Sequence, residues 1–464
     1  NTTRDTLSLH DALPISLLLI VIVICAALTY VIPAGQFDRV KDAASGRTVV
    51  AAGTFKYIEN SPVGLKTLLS SVFEGILKAS EIISFVLCIC GAMALVVKSG
   101  AINAALASVI VKYKDKTYFL IPVIMVAFAL AGATFGMAEE TLPFLAVLIA
   151  AATAMGYDRL VGVCFVTIGV YAGYSAGPLN PFSIGIAHKI AELQMFSGMG
   201  LRTILCLGGT IIAVHHTMRY AAKVKKTPSA SLVADIPFNV SNIKIDLDYK
   251  GLTRSDRLIL LALFAALGGL IFGVLKYEWY LQEISALFMA LAIFVGVVMY
   301  KTDINKFAEE FIDGAKELAP AAMLVGLSRA VLVIMEQGMI MDTIIYALSL
   351  PLIHLHSVVA AWGMFFAQGV INFFIPSSSG QAVVVMPIMA PLADLVGVSR
   401  QIACQAYQAG DGYWNMITPT HPVLMASLGI AGIPFARWFK FALPLVIKWT
   451  IWTMVVLAIG VYVW

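Results

Sequence analysis

The chain has 464 residues, of which 60% are hydrophobic and 12% charged, with a formal net charge of +4. An ordinary globular domain carries about 25% charged residues, and the mean hydropathy here is +0.89, so the composition excludes a soluble enzyme. The small positive surplus sits in loops, where it bears on membrane orientation, and no nucleic-acid partner is expected.

Residues 1–15 are polar and unlike the apolar run that begins at Ser16. Residues 6–15 resemble a translated sequencing adapter, so a non-native leader is expected and His10 and Asp11 are left out of function. An apolar span runs from Ser16 to Ile32 and closes on Pro33-Ala34-Gly35. Residues 36–60 read as a polar loop with strand-like character at 47–52, and residues 64–78 as an interfacial amphipathic helix. A span at 82–97 comes next, then an amphipathic stretch at 101–113 ending in Lys112, Lys114 and Lys116. Residues 118–131 and 142–155 flank a polar break. The second arm is short for a full crossing, which predicts a re-entrant hairpin. Residues 160–171 lead into another break, and 201–214 span again. The polar segment 215–257 reads as a cytoplasmic linker because of its basic residues. Beyond it come spans at 258–275 and 284–299, an amphipathic 307–318, a span at 319–335 and an amphipathic 339–350. Hairpin arms lie at 358–374 and 383–395, a broken helix at 401–420 and a last span at 438–464. The expectation is an all-α polytopic membrane protein of roughly 10–12 membrane segments. The cysteines (Cys25, Cys88, Cys90, Cys164, Cys206, Cys404) fall in apolar runs without metal-ligand spacing and read as core residues.

The pattern occurs twice. Gly136, Ala138 and Pro143 match Gly380, Ala382 and Pro387 at an offset of 244, Arg159 matches Arg400 at 241, and Pro181 matches Pro419 at 238. Two homologous halves, 16–214 and 258–464, are predicted, inverted if each crosses the membrane an odd number of times.

Broken backbone at membrane depth is tolerated only where protein or a watery cavity surrounds it, so the breaks mark the candidate site. The Ser377-Ser378-Ser379-Gly380-Gln381 cluster offers hydroxyls and free amides for a carboxylate, or carbonyls for Na⁺. Asn180-Pro181 and Asn415…Thr418-Pro419-Thr420 offer amide, hydroxyl and carbonyl groups at the other breaks. The alternative is that these residues only cap broken helices. Asp411, between Gly410 and Gly412, suits a proton, Na⁺ or a substrate amine. Glu139 and Glu140 open the second arm of the first hairpin, as ligands or as dipole-stabilised caps. Arg329 is a guanidinium inside an apolar span, set to fork onto a carboxylate or to pair with an acid such as Glu140. Arg159 and Arg400 read as markers of the cytoplasmic rim, and His188, His354, His356 and His421 as polar-edge residues.

INFFIPSSSGQAVVVMPIMAPLADLVGVSRQ, GDGYWNMITPT and GIAGIP resemble the C-terminal half of YfcC-type carriers, and TFGMAEETLPF and AGYSAGPLNPFSIGIA resemble their N-terminal half. That family is similar to the anaerobic C4-dicarboxylate carriers and is often named for basic amino acid antiport. The resemblance implies two inverted repeats, each with a re-entrant hairpin and a discontinuous helix, elevator-type alternating access and a homodimer. It also implies a substrate site between the Ser377–Gln381 tip, the Thr134–Gly136 tip and the breaks at Asn180 and Asn415. Trp414 and His421-Pro422 depart from the family pattern, and a bulky Trp414 is expected to alter the pocket.

The expected function is a secondary carrier in the bacterial cytoplasmic membrane for a small carboxylate-bearing metabolite. Both charge signs in one cavity suit an amino acid such as arginine or ornithine, and the alternative is a C4-dicarboxylate. No resident cofactor is expected, and Na⁺ or a proton would be the coupling ion. A channel is a further alternative. ATP coupling within the chain and intramembrane hydrolysis are disfavoured, since G-x-x-x-x-G-K-[ST], H-E-x-x-H and G-x-S-x-G are all lacking.

Overall fold

The computed structural model describes residues 5–41, 48–51, 53–102, 104–105, 117–236, 252–277, 279, 281–301, 303–317 and 319–463. The helices of the first half are α1 (Asp5–Val31), α2 (Leu65–Lys78), α3 (Ser80–Lys98), α4 (Thr117–Phe135), α5 (Leu142–Ala154), α6 (Arg159–Tyr174, with a π-helical stretch at Cys164–Ile168), α7 (181–190) and α8 (Met199–Lys226). Those of the second half are α9 (Arg254–Tyr277), α10 (Leu281–Tyr300), α11 (Ile304–Glu317), α12 (Ala319–Gln337), α13 (Met341–Ser349), α14 (Ser357–Phe374), α15 (Ser378–Leu395), α16 (Arg400–Trp414), α17 (Pro422–Ala431) and α18 (Phe435–Val463). Most of the amphipathic stretch expected at 101–113, its lysines and the middle of the 215–257 linker lie outside the described residues.

Among the described residues, α3, α8, α10, α14 and α18 are long and apolar enough to cross a bilayer, and α12 with α13 forms a further span bent by 80°. The shorter apolar helices include the hairpin arms α4, α5 and α15 and the broken helix α6, while α14, the remaining hairpin arm, is long enough to cross. Apolar side chains face outward as well as inward: Ile20 and Ile24 of α1, Phe119 and Val123 of α4, Leu261 and Phe264 of α9 and Ile447 and Ile451 of α18 are all at least half exposed. Water would penalise that surface, whereas lipid does not. Among the described residues the chain turns to strands near residues 35–57, where β1 (Gly35–Gln36) pairs antiparallel with β4 (Lys56–Tyr57) and β2 (Arg39–Lys41) with β3 (Thr48–Val50). Asp342 of α13 fixes this flap, accepting two bonds from the Arg39 guanidinium (2.8 and 3.0 Å) and one from the Phe37 amide (3.0 Å).

The two halves repeat one element order. α2 and α11 start 239 residues apart (304 − 65), as do α3 and α12 (319 − 80), while α6 and α16 start 241 apart (400 − 159). Packing repeats too. The first hairpin arm lies along the discontinuous helix (α4 on α6, α14 on α16), the second arm flanks it (α5, α15), and α8 and α18 back each assembly. The halves then interlock: α7 packs on α15, α17 on α5, α2 on α12, and α11 on α3. Small residues permit the closest crossings. A Cβ on Gly173 would lie 1.8 Å from the Ala129 carbonyl oxygen, and one on Gly410 would lie 2.6 Å from that of Phe365.

Three sequence expectations change. The polar segment starting at 215 opens as the last turns of α8, which runs on to Lys226, so Arg219, Lys223, Lys225 and Lys226 are helical. Arg159 is not at an open rim: it is 7% exposed and donates to the Ile236 and Gly432 carbonyls, both at 3.2 Å, because the chain after α8 folds back over it. His188 is fully buried beside Arg202, with Nε2 3.3 Å from the guanidinium. Arg400 stays at the surface, paired with Asp394 and Glu192.

Candidate functional site

Both hairpins end in irregular tips. At the first, Gly136 has φ +66°, and a Cβ there would lie 2.5 Å from Asn180 Oδ1, so the tip rests on the first break through glycine. A single 3₁₀ turn, Glu139–Thr141, then leads into α5. At the second tip, Ser377 precedes α15 with extended backbone and no side-chain capping bond, which leaves the first-turn amides of α15 open to a ligand.

The breaks are built alike. Asn180 Oδ1 accepts the Phe182 (3.0 Å) and Ser183 (3.2 Å) amides and caps α7, while His421 Nδ1 accepts the Leu424 amide (3.2 Å) and caps α17. Each cap is followed by a proline. The equivalents are therefore Asn180 with His421 and Pro181 with Pro422 (422 − 181 = 241), which corrects the match of Pro181 to Pro419. At the tips, α4 and α14 end 239 residues apart (374 − 135), while the second arms α5 and α15 end 241 apart (395 − 154), so the two irregular tips differ in length.

Tips and breaks enclose a cavity of about 90 Å³. The first half contributes Gly136, Ala138 and Glu139 from its tip and Tyr171, Tyr174 and Phe182 from its break. The second contributes Pro376, Ser377, Ser378 and Ser379, then Asn415, His421, Pro422 and Val423. Arg329, from α12, completes the wall. Related positions carry different chemistry: Tyr174 against Asn415, and Asn180, behind Gly136, against His421.

A polar chain ties the wall together. The Tyr174 hydroxyl donates to Ser378 Oγ (2.8 Å), which donates in turn to Asp411 Oδ2. The Tyr407 hydroxyl donates to the Ser378 carbonyl (2.5 Å). Asp411 is fully buried, and its Oδ1 has no hydrogen-bond partner. Asn372 Nδ2 donates to Asn415 Oδ1 at 2.8 Å. Gln408 Nε2 holds the first break through the Gly177 carbonyl (2.9 Å) and Ser183 Oγ (3.2 Å). Because His421 Nδ1 is an acceptor, its neutral ring carries the hydrogen on Nε2 and donates it to the Tyr171 hydroxyl at 2.9 Å.

Of the residues singled out in the sequence, Gly136, Glu139, Arg329, Ser377, Ser378, Ser379 and Asn415 meet at this cavity. Asp411 lies one residue behind it, reached through Ser378. The rest have structural roles. Thr134, Thr418 and Thr420 turn their hydroxyls onto the carbonyls of Leu130, Trp414 and Phe373. Gln381 Nε2 donates to Gln368 Oε1 (2.7 Å), and Gly380 sits in the first turn of α15 without lining the cavity. The side chains of Glu140 and Pro181 lie outside the described residues. Trp414 does not fill the pocket; it packs on Gly369 between Phe365 and Phe366. Tyr171 and Tyr174 are not among the residues singled out in the sequence, and His421 reads there as a polar-edge residue. The i, i+3 tyrosines immediately before a break, and the histidine-proline pair immediately after one, were the available signals.

Arg329 is half-buried and stands apart from the buried arginines. Its Nε is buried without a hydrogen-bond partner, and it makes no hydrogen bond or ion pair among the described residues. Arg202, by contrast, donates to the Phe196 carbonyl (3.1 Å) and to that of Ser197. The cavity therefore offers a guanidinium free of hydrogen bonds and ion pairs among the described residues, open helix amides and serine hydroxyls, and the Glu139 carboxyl.

Known proteins resemble the chain along nearly its whole length. Residues 12–462 match the family described as C4-dicarboxylate anaerobic carrier. The chain is 32% identical over 467 residues, covering 92% of both chains, to the Escherichia coli (strain K12) protein named "Putative basic amino acid antiporter YfcC". It is 31% identical over 407 residues, 86% of this chain and 79% of the other, to an uncharacterised protein of Haemophilus influenzae. Among solved structures it is similar to the YdaH transporter of Alcanivorax borkumensis, with a TM-score of 0.43 and 16% identity over 97% of this chain and 98% of that one. The chain is a multi-pass membrane transporter and belongs to the C4-dicarboxylate anaerobic carrier family.

Proposed function

We propose that the chain is a secondary active carrier that binds a small carboxylate-bearing metabolite, an amino acid of the arginine or ornithine kind, between its two hairpin tips. The observation that carries this reading is Arg329, a half-buried guanidinium with no hydrogen bond or ion pair among the described residues, which lines the cavity together with the open N-terminus of α15. A substrate carboxylate satisfies both: the planar fork of Arg329 takes two oxygens, and the Ser378 and Ser379 amides with the Ser377 and Ser379 hydroxyls take what remains. Glu139, on the other tip, supplies the opposite charge for an ammonium or guanidinium. That pairing supports an amino acid over a dicarboxylate, whose second carboxylate would meet Glu139.

Coupling is assigned to Asp411. A proton or Na⁺ arriving there competes for the oxygens that hold Ser378, so cation occupancy and the shape of the α15 tip are linked. Alternating access of the elevator type is supported by the packing: hairpins, broken helices, α8 and α18 pack on one another, and α1, α2, α3, α10, α11 and α12 on one another, with α12 against α17 the main contact between the two groups.

Uptake of labelled arginine, ornithine, aspartate and succinate into proteoliposomes tests this, with Na⁺ or proton gradients and with unlabelled substrate inside. Trans-stimulated uptake of arginine or ornithine is expected. Gradient-driven succinate uptake without arginine exchange would replace the reading with a dicarboxylate carrier, and flux that neither saturates nor shows counterflow would make it a channel.

A further inference from the structure

Away from the transport cavity, the geometry points to a binding site for an anionic phospholipid, its phosphate held between α8 and α18. The two helices run antiparallel there, with Trp449 Nε1 donating to the Gly209 carbonyl (2.8 Å) and Trp452 Nε1 to that of Leu205 (3.1 Å). Toward the C-terminal end of α8 they part around a second cavity of about 250 Å³. Arg219 and Lys223 of α8 face Lys440 and Lys448 of α18 across it, and no carboxylate lines it. None of the four cations forms an ion pair among the described residues, whereas Arg39, Arg400 and Arg437 do.

The site is organised rather than merely basic. His216 Nε2 donates to the Phe441 carbonyl (3.0 Å), so its Nδ1 is the acceptor, and the Lys448 ammonium donates to it at 3.1 Å. A neutral imidazole thus orients one ammonium inward without adding a counter-charge. The Tyr220 hydroxyl is turned away onto Asp158 Oδ2 (2.6 Å), which leaves its ring beside Phe441 as an apolar floor.

The occupant is identified by what adjoins the charge. Moving from the pocket toward the membrane interior, α8 exposes Ile211, Leu207 and Ile204, and α18 exposes Ile447, Ile451 and Val455. A phosphate of a free metabolite has no use for that apolar track, whereas a phosphodiester with two acyl chains uses both parts. The basic segment after α8 puts the pocket at the cytoplasmic leaflet, where anionic lipid headgroups meet juxtamembrane cations. This inference does not depend on which substrate is carried.

The test uses the full chain purified in mild detergent and offered equimolar phosphatidylglycerol and phosphatidylcholine, with retained lipid read by native mass spectrometry. Wild type is expected to retain phosphatidylglycerol preferentially. Lys440→Gln with Lys448→Gln should weaken that retention about thirty-fold at low salt, and Lys440→Arg with Lys448→Arg should keep it. Should the double Gln variant aggregate, Arg219→Gln with Lys223→Gln on the facing helix carries the same expectation. Equal retention of the two lipids, or a folded Gln variant that holds phosphatidylglycerol like wild type, overturns the proposal. So does displacement of the lipid by inorganic phosphate at lower concentration than by phosphatidylglycerol, which would reassign the pocket to free phosphate.

Discussion

Replacing Arg329 by Gln separates a ligand-binding arginine from a structural one. The side chain makes no hydrogen bond or ion pair among the described residues, so its loss leaves no hydrogen-bond partner unsatisfied. A charge-assisted bond to a substrate carboxylate is worth about 1.5–3 kcal/mol. Arg329→Gln should therefore raise the apparent substrate dissociation constant about ten- to hundredfold while leaving the thermal unfolding midpoint unchanged. Arg329→Lys keeps the charge without the fork and should fall between the two. Arg202→Gln is the internal contrast, because it strips bonds from the Phe196 and Ser197 carbonyls and should lower the midpoint. The assay is concentration-dependent uptake in proteoliposomes, paired with thermal unfolding of the same preparations in detergent. Unchanged affinity in Arg329→Gln, or a fall in its midpoint as large as that of Arg202→Gln, would refute the reasoning.

Gly173→Ala places a methyl 1.8 Å from the Ala129 carbonyl oxygen and should lower the unfolding midpoint, whereas Gly200→Ala, with open space around it, should not. His421→Ala removes the cap of α17 and should cost about 1 kcal/mol in unfolding experiments. His421→Asn should retain that stability, since Asn180 does the same work in the other half. Tyr174→Phe removes the donor to Ser378 while preserving the ring, and a KM increase of about fivefold is expected. Asp411→Asn should abolish the dependence of uptake on the cation gradient and leave counterflow measurable; loss of both together would assign Asp411 to the substrate instead.

Much of this was legible in the chain. Long apolar runs such as those of α10 and α18 announce themselves by length, and Ser377–Ser379, Asn415, Glu139 and Arg329 stand out as polar groups at apolar depth. Register at the breaks was harder to read. Identity matching paired proline with proline, but asparagine and histidine serve one capping role, and only the backbone shows that Asn180 and His421 correspond. Tyr171 and Tyr174 escaped because an aromatic pair at helical spacing also describes a packed core. Arg159 and His188 were misplaced for another reason: what buries them comes from distant segments, and no local pattern records that.

The exchange of helices between the halves bears on how such a chain arose and how it can be divided. α2 rests on α12 and α11 on α3, while α7 and α17 each reach the opposite hairpin. Neither half is complete by itself, so a single ancestral copy would have been obliged to work as a pair of identical chains. The same interleaving means that a chain cut between α8 and α9 yields two fragments that fold only in each other's company. Co-expressed, they should assemble into one active particle; expressed singly, each would present its unpartnered faces to quality-control proteases.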